Sequence, residues 1–86
     1  MLRVSVISPE RVLFEGEVSG VVAPAFDGEV GILTGHAPMM TLLGRGELRL
    51  AGAQGTAGAQ RFRVAGGFLQ VVDDQVRVVT EQAEAV

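Results

Sequence analysis

Apolar and polar side chains alternate with a period of two over much of the chain. Leu2, Val4 and Val6 are separated by Arg3 and Ser5; Val12 and Phe14 alternate with Arg11, Leu13 and Glu15. Leu48 and Leu50 alternate with Glu47 and Arg49, Phe62 and Val64 with Arg61 and Arg63, and Val76 and Val78 with Gln75 and Arg77. A strand sends successive side chains to opposite faces, so each apolar set marks an inward face. The spacing predicts strands over 2–8, 11–15, 17–23, 28–33, 38–43, 46–51, 60–65, 68–72 and 75–80. Glycines recur every few positions from Gly16 to Gly67 and punctuate these short runs, leaving no room for helical periodicity. The expected fold class is all-β, a flattened β-sandwich or barrel of about nine or ten short strands. Residues 1–86 form a single domain, with 81–86 a short tail that could start a helix the chain does not continue.

Turn chemistry falls between the runs: Ser8-Pro9-Glu10, Phe26-Asp27-Gly28, Gly44-Arg45-Gly46 and Asp73-Asp74. Most read as tight hairpins, and a turn after Asp27 calls for a positive φ at Gly28. The run from Gly52 to Gly58 is small and flexible throughout, as expected of an exposed tip without chemistry of its own.

Composition narrows the function. A chain of 86 residues can build one hydrophobic core and no more. Without cysteine there is no disulfide scaffold, thiolate metal site or cysteine nucleophile. All seven basic residues are arginines, so Schiff-base catalysis and the modified lysine of lipoyl and biotinyl carriers are excluded. A net charge of −3, with acids spread among the arginines, argues against nucleic acid. The N-terminus meets Pro9-Glu10-Arg11 before an apolar region of signal-peptide length develops. The longest uncharged stretch, Val30 to Gly44, is interrupted by glycine, histidine and proline and is shorter than a bilayer span, so no crossing of a membrane is expected.

Candidate chemistry is sparse. Gly28 to Gly35 is glycine-rich, but a phosphate-binding loop needs lysine where His36 stands. Gly44-x-Gly46 lacks the third glycine and the helix of a dinucleotide fingerprint, and reads as a hairpin turn. His36 is the sole histidine; Ser5, Ser8 and Ser19 offer no nucleophile elbow to pair with it. Glu10, Glu15 and Glu17 scatter over different faces, so no catalytic, metal or cofactor site is expected. His36 reads either as a hydrogen-bonded turn residue or as a partner contact. In Met39-Met40-Thr41-Leu42-Leu43, adjacent apolar pairs require cover on both faces of one strand, by a second sheet or by another subunit. Phe26, flanked by Asp27 and Glu29, is either a contact loop or a solvated turn.

Val18-x-x-Val21-Val22-Ala23-Pro24, followed by Asp27-Gly28-Glu29-Val30-Gly31-Ile32-Leu33-Thr34-Gly35-His36-Ala37-Pro38-Met39-Met40-Thr41, resembles the N-terminal β-sandwich of the epsilon subunits of F-type ATP synthases. Gly66-Gly67-Phe68-Leu69-Gln70-Val71 and Val76-x-Val78-Val79 extend the likeness over residues 2–80. The resemblance implies a non-catalytic central-stalk rotor subunit that binds gamma and the c-ring and couples ion translocation to ATP synthesis or hydrolysis. It implies a peripheral place on the cytoplasmic face of a bacterial membrane, with membrane association only through the complex. Family positions facing gamma map onto Ser8, His36 and Thr41, with Met39 and Met40 nearby; the turn facing the c-ring maps onto Phe26, Asp27, Gly28 and Glu29. Ring loops in this family carry arginine, a partner suited to Glu29.

The family usually continues into an α-helical hairpin, whereas this sequence stops at Val86. Self-inhibition and ATP binding are therefore not expected of these residues, and no cofactor is. Ala65 stands where the family has serine before Gly66. The competing expectation is a free-standing β-sandwich module that binds a small ligand or peptide.

Overall fold

The computed structural model describes residues 1–52 and 60–86. Among the described residues eight strands follow one another: β1 (Leu2–Ile7), β2 (Val12–Val18), β3 (Gly20–Ala25), β4 (Gly28–Leu33), β5 (Met39–Leu42), β6 (Arg45–Ala51), β7 (Gln60–Val72) and β8 (Gln75–Ala85). They pair in the order β2-β1-β8-β7-β6-β3-β4, with β5 also on β7, and fold into the all-β sandwich that the alternation predicts. All pairings are antiparallel except β1–β8, which is parallel from Arg3↔Gln75 to Ile7↔Val79.

The two layers share strands. The C-terminal half of β7 pairs with β5 and with the start of β8, whereas its N-terminal half pairs with β6 and the end of β8. Inward positions of β7 are even-numbered at Phe62 and Val64 and odd-numbered at Leu69 and Val71. The switch falls at Gly66 and Gly67, whose φ values of 77° and 103° bend the strand from one layer into the other. This is why the runs expected at 60–65 and 68–72 are one strand of 13 residues.

The same bend corrects the reading of Gly44-Arg45-Gly46 as a hairpin. β5 and β6 do not pair with each other; both run antiparallel to β7, in register from Met39↔Val71 through to Leu50↔Gln60. Gly44 lies opposite Gly66, where Gly66 donates to the Gly44 carbonyl at 3.4 Å. Inward positions switch here too, from Met39 and Leu43 to Leu48 and Leu50. In β8 the fold passes through Thr80, the one buried polar side chain among the described residues. Its Oγ1 lies 3.1 Å from the Gly66 carbonyl and 2.8 Å from that of Gln82, so its single proton serves carbonyls at the crease. The tail is not helical: β8 continues to Ala85 and Val86 donates to the Arg61 carbonyl.

The core is the sum of both inward faces: Leu2, Val4, Val6, Val76, Val78, Leu69 and Val71 from one layer, Val21, Ala23, Ile32, Leu48, Leu50, Phe62 and Val64 from the other. Val12 was expected inward beside Phe14 but is 56% exposed. The register slips between Val6↔Phe14 and Ile7↔Val12, leaving Leu13 as an extra residue in β2. This bulge turns Val12 outward while Leu13 and Phe14 both reach the core. The break between β2 and β3 falls at Ser19, not at Gly16 as the alternation suggested. Most of the glycine-rich tip at 52–58 lies outside the described residues.

Candidate functional site: one apolar face and two turns

The outer faces of the two layers differ in chemistry. On the layer of β3, β4 and β6, Arg49 donates to Glu29 at 3.3 Å, Arg63 donates to Glu84 at 3.0 Å, and Arg61 lies 4.0 Å from Glu47. These pairs are exposed, each worth about 0.2–1 kcal/mol, and they satisfy the surface with charge. The opposite outer face carries an apolar row at one level of the ladder: Val12 pairs with Ile7, Ile7 with Val79, Val79 with Phe68 and Phe68 with Leu42. Each lies next to an inward-facing core residue, so the row crosses β2, β1, β8, β7 and β5 on the solvent side. Leu42 is 62% exposed and Met40, two residues back on the same face, 65%. Beside the row Pro9, Leu42, Phe68 and Val79 wall an open groove of about 550 Å³ along Gly66 and Gly67.

Of the residues that the resemblance assigns to gamma, Ser8 and Met40 stand beside this row, whereas the His36 turn lies at the other end of the layer, against the Asp74 hairpin. Ser8 directly follows Ile7, where its backbone N–H donates to the Arg11 carbonyl at 2.9 Å and its Oγ accepts from the Arg11 N–H at 3.3 Å. In β5, Met40 faces outward, whereas Met39 and Thr41 lie opposite buried Val71 and Leu69 and are themselves half-buried on the core side. Among the described residues nothing covers the outer face of this strand, so a second sheet there does not supply the cover its apolar pairs require. Leu42 belongs to the Met39–Leu43 run whose two-sided apolar character the sequence shows, but the sequence does not single out Val12, Ile7, Val79 and Phe68 as surface groups. The crease and the bulge change which parity faces out, and pattern alone reads neither.

His36 is half-buried in a turn that the Leu33 carbonyl closes by accepting the His36 N–H at 3.1 Å. Gly35 has φ 87°, suited to the third position of such a turn. The His36 Nδ1 lies 2.7 Å from the Ala37 carbonyl. A carbonyl only accepts, so Nδ1 carries the proton and Nε2 remains free to accept from a partner. His36 is thus a turn residue hydrogen-bonded to its own backbone with one ring nitrogen uncommitted.

The turn assigned to the c-ring is a two-residue hairpin between Ala25 and Gly28. Phe26 is 67% exposed, Asp27, Gly28 and Glu29 are exposed, and Gly28 has the expected positive φ, 134°. Glu29 already has an internal partner in Arg49. The turn and the apolar row meet at β5, because the Phe26 N–H donates to the Leu42 carbonyl at 3.0 Å. Among the described residues no group of acids and histidine could hold a metal ion, and no helix is long and apolar enough to cross a membrane.

Comparison with known proteins agrees with this architecture. The family model described as the β-sandwich domain of the ATP synthase delta/epsilon chain matches residues 1–86. The ATP synthase epsilon chain of Rhodopirellula baltica is 46% identical over 82 residues, covering 95% of this chain and 62% of that relative. The epsilon chain of Syntrophomonas wolfei is 40% identical over 79 residues, covering 92% of this chain and 56% of the relative. The chain thus spans somewhat over half the length of these curated relatives, whose names agree with a non-catalytic subunit. A chain in the mitochondrial ATP synthase of Euglena gracilis superposes with a TM-score of 0.85 at 23% identity, covering 98% of this chain and 52% of that one. One from the central stalk and c-ring of the Tetrahymena thermophila enzyme gives 0.76 at 18%, covering 96% and 65%. At those identities the likeness is one of fold. The match over the whole sequence, together with relatives at 40% and 46% identity, places this chain in the family of ATP synthase delta/epsilon chains, as their β-sandwich domain.

Proposed function

We propose that the chain is a non-catalytic rotor element of the central stalk. Gamma docks on the apolar outer face around Leu42, and the Phe26–Glu29 turn seats the domain on the c-ring, so that rotation couples ion translocation to ATP synthesis or hydrolysis. The complex lies on the cytoplasmic face of the membrane. One observation carries the gamma assignment: a continuous apolar row crosses five strands on one outer face, whereas the ion pairs lie on the other. Exposed apolar surface of this extent favours a protein partner, and adaptable Met40 beside the groove suits an anchor side chain. Ser8 supplies a polar group at its margin, and His36 one at the far end of the same layer, beside the Asp74 hairpin. At the other contact, Glu29 exchanges Arg49 for a cationic loop of the ring, which sets register more than affinity.

The test is titration of purified gamma with wild-type chain and Leu42→Glu. Leu42 is largely exposed, so the variant should melt as wild type does while gamma affinity falls at least tenfold, about 1.4 kcal/mol. Equal affinities would remove the apolar face from the interface. Failure of the wild-type chain to bind gamma at all would favour a free-standing binding module.

A further inference from the structure

Asp74 is joined to the His36 turn across the molecule. Its Oδ1 accepts the Gly35 N–H at 2.7 Å, linking residues 39 apart in sequence. A carboxylate accepting a backbone N–H makes a short, charge-assisted bond, stronger than one between neutral groups. The carboxylate is aimed by its own backbone: Asp73 and Asp74 have φ of 49° and 61°, both left-handed, as the two-residue turn between β7 and β8 requires. The Asp74 carbonyl accepts the Arg3 N–H at 2.9 Å, so the hairpin tip is also fixed to the start of β1. Gly35 meets nothing that a side chain would touch, and the Leu33–His36 turn has few other ties.

We infer that Asp74 is a positioning residue for partner recognition: by clamping the Gly35 amide it holds the His36 turn, and with it the free Nε2, in the orientation that meets gamma. The inference rests on the gamma-facing role of His36 proposed above. Asp74 itself need not touch the partner.

Three substitutions separate the tether from the turn that bears it. Asp74→Gly removes the acceptor but tolerates the left-handed φ, so the β7–β8 hairpin persists. Asp74→Asn keeps an acceptor oxygen and also tolerates that φ. His36→Ala reports the turn's contribution to binding. Hydrogen exchange should show the Gly35 amide protected in wild type and Asp74→Asn and unprotected in Asp74→Gly, with β7 and β8 amides unchanged in all. Gamma affinity should fall roughly fivefold to tenfold in Asp74→Gly and in His36→Ala, with Asp74→Asn close to wild type. Asp74→Gly binding gamma like wild type while His36→Ala is impaired would overturn the positioning role and leave the gamma-facing reading intact. Wild-type affinity in both would overturn the role of the turn in gamma binding, and the inference with it.

Discussion

At the scale of single residues, His36 and Thr80 separate binding from stability. His36 touches its own turn through Nδ1 and is half-buried, so His36→Ala should change folding stability by no more than about 0.5 kcal/mol while gamma affinity falls. Calorimetric titration beside a thermal melt measures both, and an unfolded variant with gamma affinity retained would make His36 structural. Thr80 is the opposite case. Thr80→Val keeps the shape but leaves crease carbonyls without their donor in a buried place, at a cost of about 1–3 kcal/mol by urea unfolding. Composition shows that a single histidine exists; it does not show which carbonyl its ring contacts. Thr80 gave no signal at all, since an isolated threonine in a strand is ordinary until the fold encloses it.

Among elements, the three segments 39–51, 60–72 and 75–85 bend at one crease. Gly67→Ala should destabilise the domain by about 2–4 kcal/mol, because its φ is left-handed and an added Cβ would collide with the Val79 carbonyl. Gly31→Ala, on edge strand β4 with open space around it, should stay within about 0.5 kcal/mol by the same denaturant measurement. Comparable losses at both positions would mean that the left-handed crease is not what makes Gly67 costly to replace, since Gly→Ala acts through the unfolded chain only to stabilise. Straight stretches such as β1 and β6 were legible from alternation because parity there is constant. The merged β7, the outward Val12 and the unbroken run of β5 into β6 were not, because a bend or bulge reverses parity without changing composition.

For the whole molecule, the ion pairs lie on one outer face and the apolar row crosses the other beside Arg3, Arg77, Glu15 and Glu17, and the turn at Phe26 is tied to β5 at the edge of that row. Glu29→Lys should weaken coupling of ATP hydrolysis to ion pumping in reconstituted membranes, with the deficit narrowing at high salt as screening removes the repulsion from a basic ring loop. Loss of the exposed pair with Arg49 costs at most about 1 kcal/mol, so the fold should persist. Gamma binding should survive, although Phe26 and Leu42 share a backbone hydrogen bond. Equal pumping at low salt, with gamma bound in both, would leave Glu29 as ordinary surface. The family was legible from the glycine-rich run between Asp27 and Thr41, where turns and close backbone approaches restrict the residue types allowed. The apolar row was not, because its members come from five strands distant in sequence.

The parallel pairing of β1 with β8 gives the molecule a mechanical character. Met1 and Val86 lie beyond opposite ends of a directly paired couple of strands, so a load applied between the two termini acts along the ladder rather than across it. The bonds from Arg3 to Ile7 then share the force and must rupture together, whereas an antiparallel terminal pair would open one rung at a time. Stretched from its ends, the domain should yield at a single high force, and substituting proline for Ser5, whose place is mid-ladder, should lower that force sharply.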